Sequence, residues 1–81
     1  MRLRKNVALS ESGFIFNAAT GDSYSANPVG LRILELLKSG KTSEQILQKI
    51  PAEFEVDGDR FEQDLEDFVS LLHQLNLTEN E

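Results

Sequence analysis

The chain has 81 residues, 40% of them hydrophobic, which is enough for one domain with a single modest core. It contains no cysteine and one histidine, which excludes disulfides, thiolate nucleophiles, thiolate metal sites and histidine-paired metal sites, and we expect no cofactor. The net charge of −6 is unevenly spread, because residues 1–40 carry five basic and three acidic side chains while residues 41–81 carry three basic and eleven acidic ones.

The N-terminal segment contains Arg2, Arg4 and Lys5, but no apolar run follows that is long enough for a signal peptide. No segment approaches the roughly 20 apolar residues that a membrane span requires. The sequence therefore predicts a cytoplasmic protein without a membrane partner.

The first third of the chain has the pattern of short strands. Residues 3–9 place apolar side chains at alternate positions, which predicts a half-buried strand. Residues 14–18 are aromatic and β-branched enough for a central strand, and we expect Phe14 and Phe16 to face the core. Residues 22–26 predict a third strand, polar enough for a sheet edge. Tight turns between the three strands predict an antiparallel meander.

The pattern then changes to that of helices. Asn27 is a good N-cap and Pro28 suits the first helical position, so a helix is predicted at about 28–39. A Thr-x-x-Gln capping box precedes a second helix at about 43–50, which we expect Pro51 to end.

A third, longer helix is predicted at about 60–75, with Asp59 as its cap. One stripe of this helix is apolar and comprises Phe61, Leu65, Phe68, Leu72 and Leu75. Val69 lies on one shoulder of the stripe, and Leu71 lies on the other with Asp64. This apolar arc is wider than one packing partner requires, so part of it is available for a ligand.

Three strands followed by three helices form a winged-helix-like α+β fold. Within this order, several segments resemble PqqD-like proteins, and the resemblance spans roughly residues 3 to 77. They are Gly13-Phe14-Ile15-Phe16-Asn17, Thr20-Gly21-Asp22-Ser23-Tyr24, Asn27-Pro28-Val29-Gly30, Ile33-Leu34-Glu35-Leu36-Leu37, Gly40-Lys41-Thr42, Glu44-Gln45-Ile46 and the helix from Glu62 to Leu77. The resemblance implies a recognition element for ribosomally made, post-translationally modified peptides. Such a protein binds the leader of a precursor peptide beside a modifying enzyme, here expected to be a radical S-adenosylmethionine enzyme.

The resemblance also implies where the leader binds. The guest adds as a strand to the third strand, and its apolar side chains enter a groove beside the third helix. The implied peptide-binding residues are Ser23, Tyr24, Ser25, Ala26, Phe61, Asp64, Leu65, Phe68, Val69 and Leu72. An edge strand offers unpaired backbone groups to any guest, and the third strand has no Pro, Lys or Arg to prevent pairing. Whether the Val69 or the Leu71 shoulder faces the guest stays open.

Competing functions have weaker support in the sequence. Carboxylates spaced like Asp64 and Asp67 are common on helical surfaces, so we expect no catalytic site and no enzyme activity. The third helix carries four carboxylates between residues 62 and 67 against Arg60 alone, which disfavours binding to nucleic acid. A module that docks on a partner enzyme without a precursor peptide is the main alternative. Because an open edge strand can pair with its own copy, a homodimer is also open.

Overall fold

Eight elements form the part of the chain that the computed structural model describes, residues 2–79. They are β1 (Arg2–Leu3), β2 (Val7–Leu9), β3 (Phe14–Asn17), β4 (Ser23–Ser25), α1 (Pro28–Lys38), α2 (Ser43–Glu53), α3 (Gly58–Gln74) and β5 (Thr78–Glu79). The predicted α+β fold class, a three-stranded antiparallel sheet followed by three helices, is confirmed. The domain was predicted to span residues 1–81, of which Met1, Asn80 and Glu81 lie outside the described residues.

The main sheet has the order β2-β3-β4, and both pairs of neighbours are antiparallel. One face of this sheet packs on the helices through apolar side chains. The buried core comprises Leu3, Val7, Ile15, Ile33, Leu34, Leu36, Leu37, Ile46, Ile50, Phe61, Leu65, Leu72 and Leu77. Since all three helices and the inner face of the sheet contribute to one cluster, their relative positions are determined together.

The prediction that Phe14 and Phe16 face the core is wrong. These two side chains are 59% and 45% exposed, whereas Ile15 and Asn17 are 4% and 2% exposed. Asn17 explains the orientation, because its Oδ1 accepts hydrogen bonds from the Asn6 side chain and from a backbone N–H in the next turn. With Asn17 held inward, the period of two in a strand turns Ile15 inward and both phenylalanines outward.

Substitutions in β3 test this orientation. We expect Ile15→Ala to lower the free energy of unfolding by about 3 kcal/mol, because it leaves a cavity in the core. Phe16→Ala removes a larger side chain but should cost about 1 kcal/mol or less, because the ring already contacts water. Urea denaturation of both variants provides the measurement, and a larger loss for Phe16→Ala would contradict the observed register.

The predicted first strand, residues 3–9, is in fact two short strands. The Val7 N–H donates to the Arg4 carbonyl over 3.1 Å, which forms a turn between β1 and β2. β1 lies outside the main sheet and pairs with β5, a C-terminal strand that the sequence did not predict. Two-residue strands are too short to show a period, so only the long-range pairing reveals them.

The caps of α1 and α2 follow their sequence signals. The Asn27 side chain accepts from the Gly30 N–H over 2.8 Å, and the predicted capping box at the start of α2 is present. Gly40 follows α1 with φ +87°, and its N–H and that of Lys41 donate to carbonyls in the last turn. This arrangement is a Schellman motif, and it closes α1 where the sequence indicated.

The prediction that Pro51 ends α2 is wrong, because the helix continues to Glu53. Proline removes one helical hydrogen bond, but Ile50 is fully buried and packing outweighs that loss. The Arg32 guanidinium also binds both carboxylate oxygens of Glu53, at 2.7 and 3.1 Å, and holds the last turn. The hydrogen bond to this guanidinium lowers the pKa of Glu53 below its usual value.

The cap of α3 also differs from its prediction. Asp57, and not Asp59, is the N-cap, and its side chain accepts from the backbone N–H groups of Asp59 and Arg60. The helix therefore begins at Gly58, two residues before the predicted start. Both aspartates are suitable caps, so local sequence could not choose between them.

Candidate functional site

The outer strand β4 has one open edge. Among residues 2–79 its only strand partner is β3, so one side of its backbone has no strand beside it. Hydrogen-bonded pairs alternate along an antiparallel ladder, and Ala26 donates to the Gly13 carbonyl over 2.8 Å. Tyr24 therefore exchanges backbone hydrogen bonds with β3, whereas the N–H and C=O groups of Ser23 and Ser25 point to the open edge.

Side chains of β4 alternate between the two faces of the sheet. Ser23 and Ser25 are exposed and lie opposite Phe16 and Phe14 on the outer face, while Tyr24 is half-buried on the helical face. A strand added at this edge would continue the same alternation. Every second side chain of such a guest would therefore point toward the helices.

A groove of about 590 Å³ lies on that helical face, between β4, the first turns of α1 and one face of α3. Its lining is mainly apolar and includes Ile15, Tyr24, Ala26, Val29, Ile33, Val56, Phe61, Phe68, Leu71, Leu72, Leu75 and Leu77. Asp64 is the one charged side chain among the described residues that line it. Concave apolar surfaces with a few polar groups are typical of ligand-binding sites.

The structure brings seven of the ten sequence-predicted site residues into this groove. They are Tyr24, Ser25, Ala26, Phe61, Asp64, Phe68 and Leu72. Ser23 is on the open edge but does not line the groove. Leu65 and Val69 lie elsewhere, along a smaller cleft between α3 and Leu47 of α2.

The two shoulders of α3 have different surroundings. Leu71 lines the groove and remains 48% exposed, whereas Val69 is half-buried toward α2. Residues 61, 64, 68, 71 and 75 follow the helical spacing of three or four and share the groove face. Because α2 packs beside Leu65 and Val69, those positions contribute to helix packing and not to the groove.

Sequence reasoning missed the contribution of α1. Its first turn supplies Asn27, Val29 and Gly30 to the groove, and the sequence had identified only the cap there. A Cβ at Gly30 would lie 3.2 Å from the Asn27 Oδ1 and 3.5 Å from the Phe68 ring. The missing side chain therefore leaves room for the Asn27 cap in the first turn of α1, and the Asn27-Pro28-Val29-Gly30 segment was the available signal.

Other chemistries have no support in the described part of the chain. No group of three or more His, Asp or Glu side chains within residues 2–79 could hold a metal ion. Glu62, Glu66 and Asp67 are exposed on α3 outside the groove, so this helix presents negative charge to water. No described helix is both long enough and apolar enough to cross a membrane.

Comparisons with known proteins agree with this geometry. The family model described as "Coenzyme PQQ synthesis protein D (PqqD)" matches residues 12–77. A solved structure of TbiB1 in complex with the TbiA(beta) leader peptide is 32% identical, with 100% of this chain and 98% of that chain covered and a TM-score of 0.87. A lasso peptide synthetase B1 complexed with the leader peptide is 23% identical, with 98% and 96% covered and a TM-score of 0.81. No curated protein sequence matches the chain significantly.

Proposed function

The chain belongs to the PqqD family, and from that membership we propose that it is a non-catalytic peptide-binding adaptor. It binds the leader of a ribosomally made precursor peptide and presents that peptide to a modifying enzyme. The observation that carries this proposal is the open edge of β4 directly beside an apolar groove. The complex of TbiB1 with a leader peptide, in a chain of the same fold at 32% identity, supports it.

Strand addition would divide the binding energy between backbone and side chains. The outward N–H and C=O groups of Ser23 and Ser25 bind the guest backbone whatever its sequence. Alternate guest side chains enter the groove, where they contact Tyr24, Phe68 and Leu71. A guest of four to six residues would bury less than a standard interface, so we expect a dissociation constant of roughly micromolar size.

The remaining site residues have distinct proposed roles. Ala26, Phe61 and Leu72 form the apolar wall and floor of the groove. Asp64 binds a basic or amide group of the guest at the rim, since it is the charged residue of the lining. Leu65 and Val69 support the guest only indirectly, by packing α3 against α2.

The chemical step belongs to a partner. We propose a radical S-adenosylmethionine enzyme as the modifying enzyme, as the family resemblance implies, and the cytoplasm as the compartment, because precursors are made there by ribosomes. The lasso peptide synthetase B1 is 23% identical, so its likeness shows a shared fold and does not identify the modifying enzyme. Co-purification with a radical S-adenosylmethionine enzyme from the same gene neighbourhood tests this proposal.

Amide hydrogen exchange tests the adaptor function. The probe is a synthetic leader from a short precursor peptide encoded beside this chain. We expect the leader to slow exchange at the Ser23 and Ser25 N–H groups, which it should bond, and to leave Tyr24 nearly unchanged, because its N–H already bonds β3.

Two results would contradict strand addition. One is saturable binding with protection elsewhere, and the other is no binding at concentrations well above micromolar. The second result would favour a docking module that holds no precursor peptide. Since an open edge can also pair with a second copy, light scattering at the working concentration shows whether a homodimer competes with the leader.

A further inference from the structure

Four basic side chains surround a cleft at the end of α1 that lies away from the groove. Arg2, Arg4 and Lys5 reach it from β1 and the following turn, and Lys38 reaches it from the last turn of α1. The cleft has a volume of about 470 Å³, and no acidic side chain among residues 2–79 lines it. This is a local positive region in a chain whose net charge is −6. We call it the basic cleft.

Two of the four cations already have structural roles. Arg2 pairs with Glu79 over 2.9 Å and links β1 to β5. The Lys38 ammonium donates to the Val7 carbonyl over 2.8 Å and also lies at the C-terminal end of a helix, where positive charge is favourable. These contacts explain Arg2 and Lys38 without a ligand.

Arg4 and Lys5 have no such explanation. Neither forms an ion pair with a carboxylate among residues 2–79. The Nε of Arg4 is buried and has no hydrogen-bond acceptor in the described part of the chain. Buried donors are nearly always satisfied, so the unsatisfied Nε shows that contacts within the described residues do not account for the charge of Arg4.

We propose that the basic cleft is a second interaction surface, which binds an acidic segment of a partner protein. A guanidinium presents a planar fork of donors that matches a carboxylate, and such bonds are stronger than neutral ones. Cations from two separate elements suit a run of several carboxylates better than a single small anion. Nucleic acid is a poorer occupant, because the acidic face of α3 would repel its phosphates.

The basic cleft lies at the opposite end of α1 from the groove. α1 has 11 residues, so at 1.5 Å per residue its two ends are about 16 Å apart. The groove takes its lining from the first turns of α1 and the basic cleft from the last, and the two share no lining residue. Both can therefore be occupied together. The binding of an acidic segment does not depend on the proposed function. The identification of the acidic partner as the modifying enzyme does depend on it.

The test is an NMR titration of the ¹⁵N-labelled chain with an acetylated octaglutamate peptide at low salt, with octaglutamine as the neutral control. We expect octaglutamate alone to shift amide signals of residues 2–5 and 37–40, and the shifts to shrink as salt is added. Lys5→Gln combined with Arg4→Met should weaken binding about fivefold. Lys49→Gln removes one charge, as Lys5→Gln alone does, but from an exposed position on α2, and it should leave binding nearly unchanged.

Several outcomes would overturn the proposal. These are equal weakening by Lys5→Gln and Lys49→Gln, shifts outside the cleft, no binding, or tighter binding of a DNA duplex to the same residues. Lys5 is exposed, so its single substitution keeps the test valid if Arg4→Met fails to fold. The leader should still bind the double variant normally, and Ser25→Pro should still bind octaglutamate. Failure of this proposal and failure of the adaptor function are thereby distinguishable.

Discussion

Ser25→Pro should abolish most leader binding while leaving the domain folded. The Ser25 N–H points to the open edge, so proline removes a donor that the domain itself does not use. Its ring would also occupy the space of the guest backbone. We expect the affinity for the leader to fall at least about tenfold and the free energy of unfolding to change by about 1 kcal/mol or less.

A matched variant separates backbone from side-chain effects at this position. Ser25→Ala keeps the N–H and changes only an exposed hydroxyl, so it should bind the leader like the original chain. Calorimetric titration gives the affinities, and urea denaturation verifies the fold of both variants. Equal leader affinity of Ser25→Pro and Ser25→Ala would show that the guest does not pair with β4.

Leu71→Ala and Val69→Ala should have opposite consequences. Leu71 is 48% exposed at the groove, so its truncation should lower leader affinity about tenfold and leave stability nearly unchanged. Val69 is half-buried beside α2, so its truncation should lower the free energy of unfolding by about 1 kcal/mol and leave the affinity unchanged.

The same titration and denaturation experiments measure both effects. The two substitutions remove similar apolar groups from opposite shoulders of one helix, so each is the control for the other. A loss of leader affinity in Val69→Ala without a loss in Leu71→Ala would place the guest on the α2 side of α3. The groove described above would then not be the binding site.

The open edge of β4 and the groove together limit which partners can bind. A folded partner cannot insert a strand at β4 unless it presents a free extended segment, whereas a leader peptide is already such a segment. The guest also loses conformational entropy when it becomes ordered, and this cost limits the number of guest residues that bind with a net gain in free energy. A short contact that selects alternate side chains therefore suits a short extended peptide.

Part of the site was predictable because its signals are local. The polar composition of residues 23–26 indicated an edge strand, and the spacing of Phe61, Phe68 and Leu72 indicated an apolar face on α3. The PqqD-like resemblance implied that these two elements form one site, and seven of the ten residues it implied line the groove. The contribution of Val29 and the exclusion of Val69 depend on how α1 and α2 pack against α3, which no single segment encodes.

By itself the sequence determined the order of the three main-sheet strands and the three helices, and most of their ends to within a few residues. Caps, turns and hydrophobic periods act within a few residues, so they can be read without knowledge of distant contacts. Only the tertiary structure decided which face of β3 is buried, that β1 pairs with β5, and that Leu71 borders the groove. The physical reason is that an element can pack in more than one orientation when its apolar surface is wider than the area that one neighbouring element covers. The side chain of Asn17 and the position of α2 select one packing, and both act across the fold.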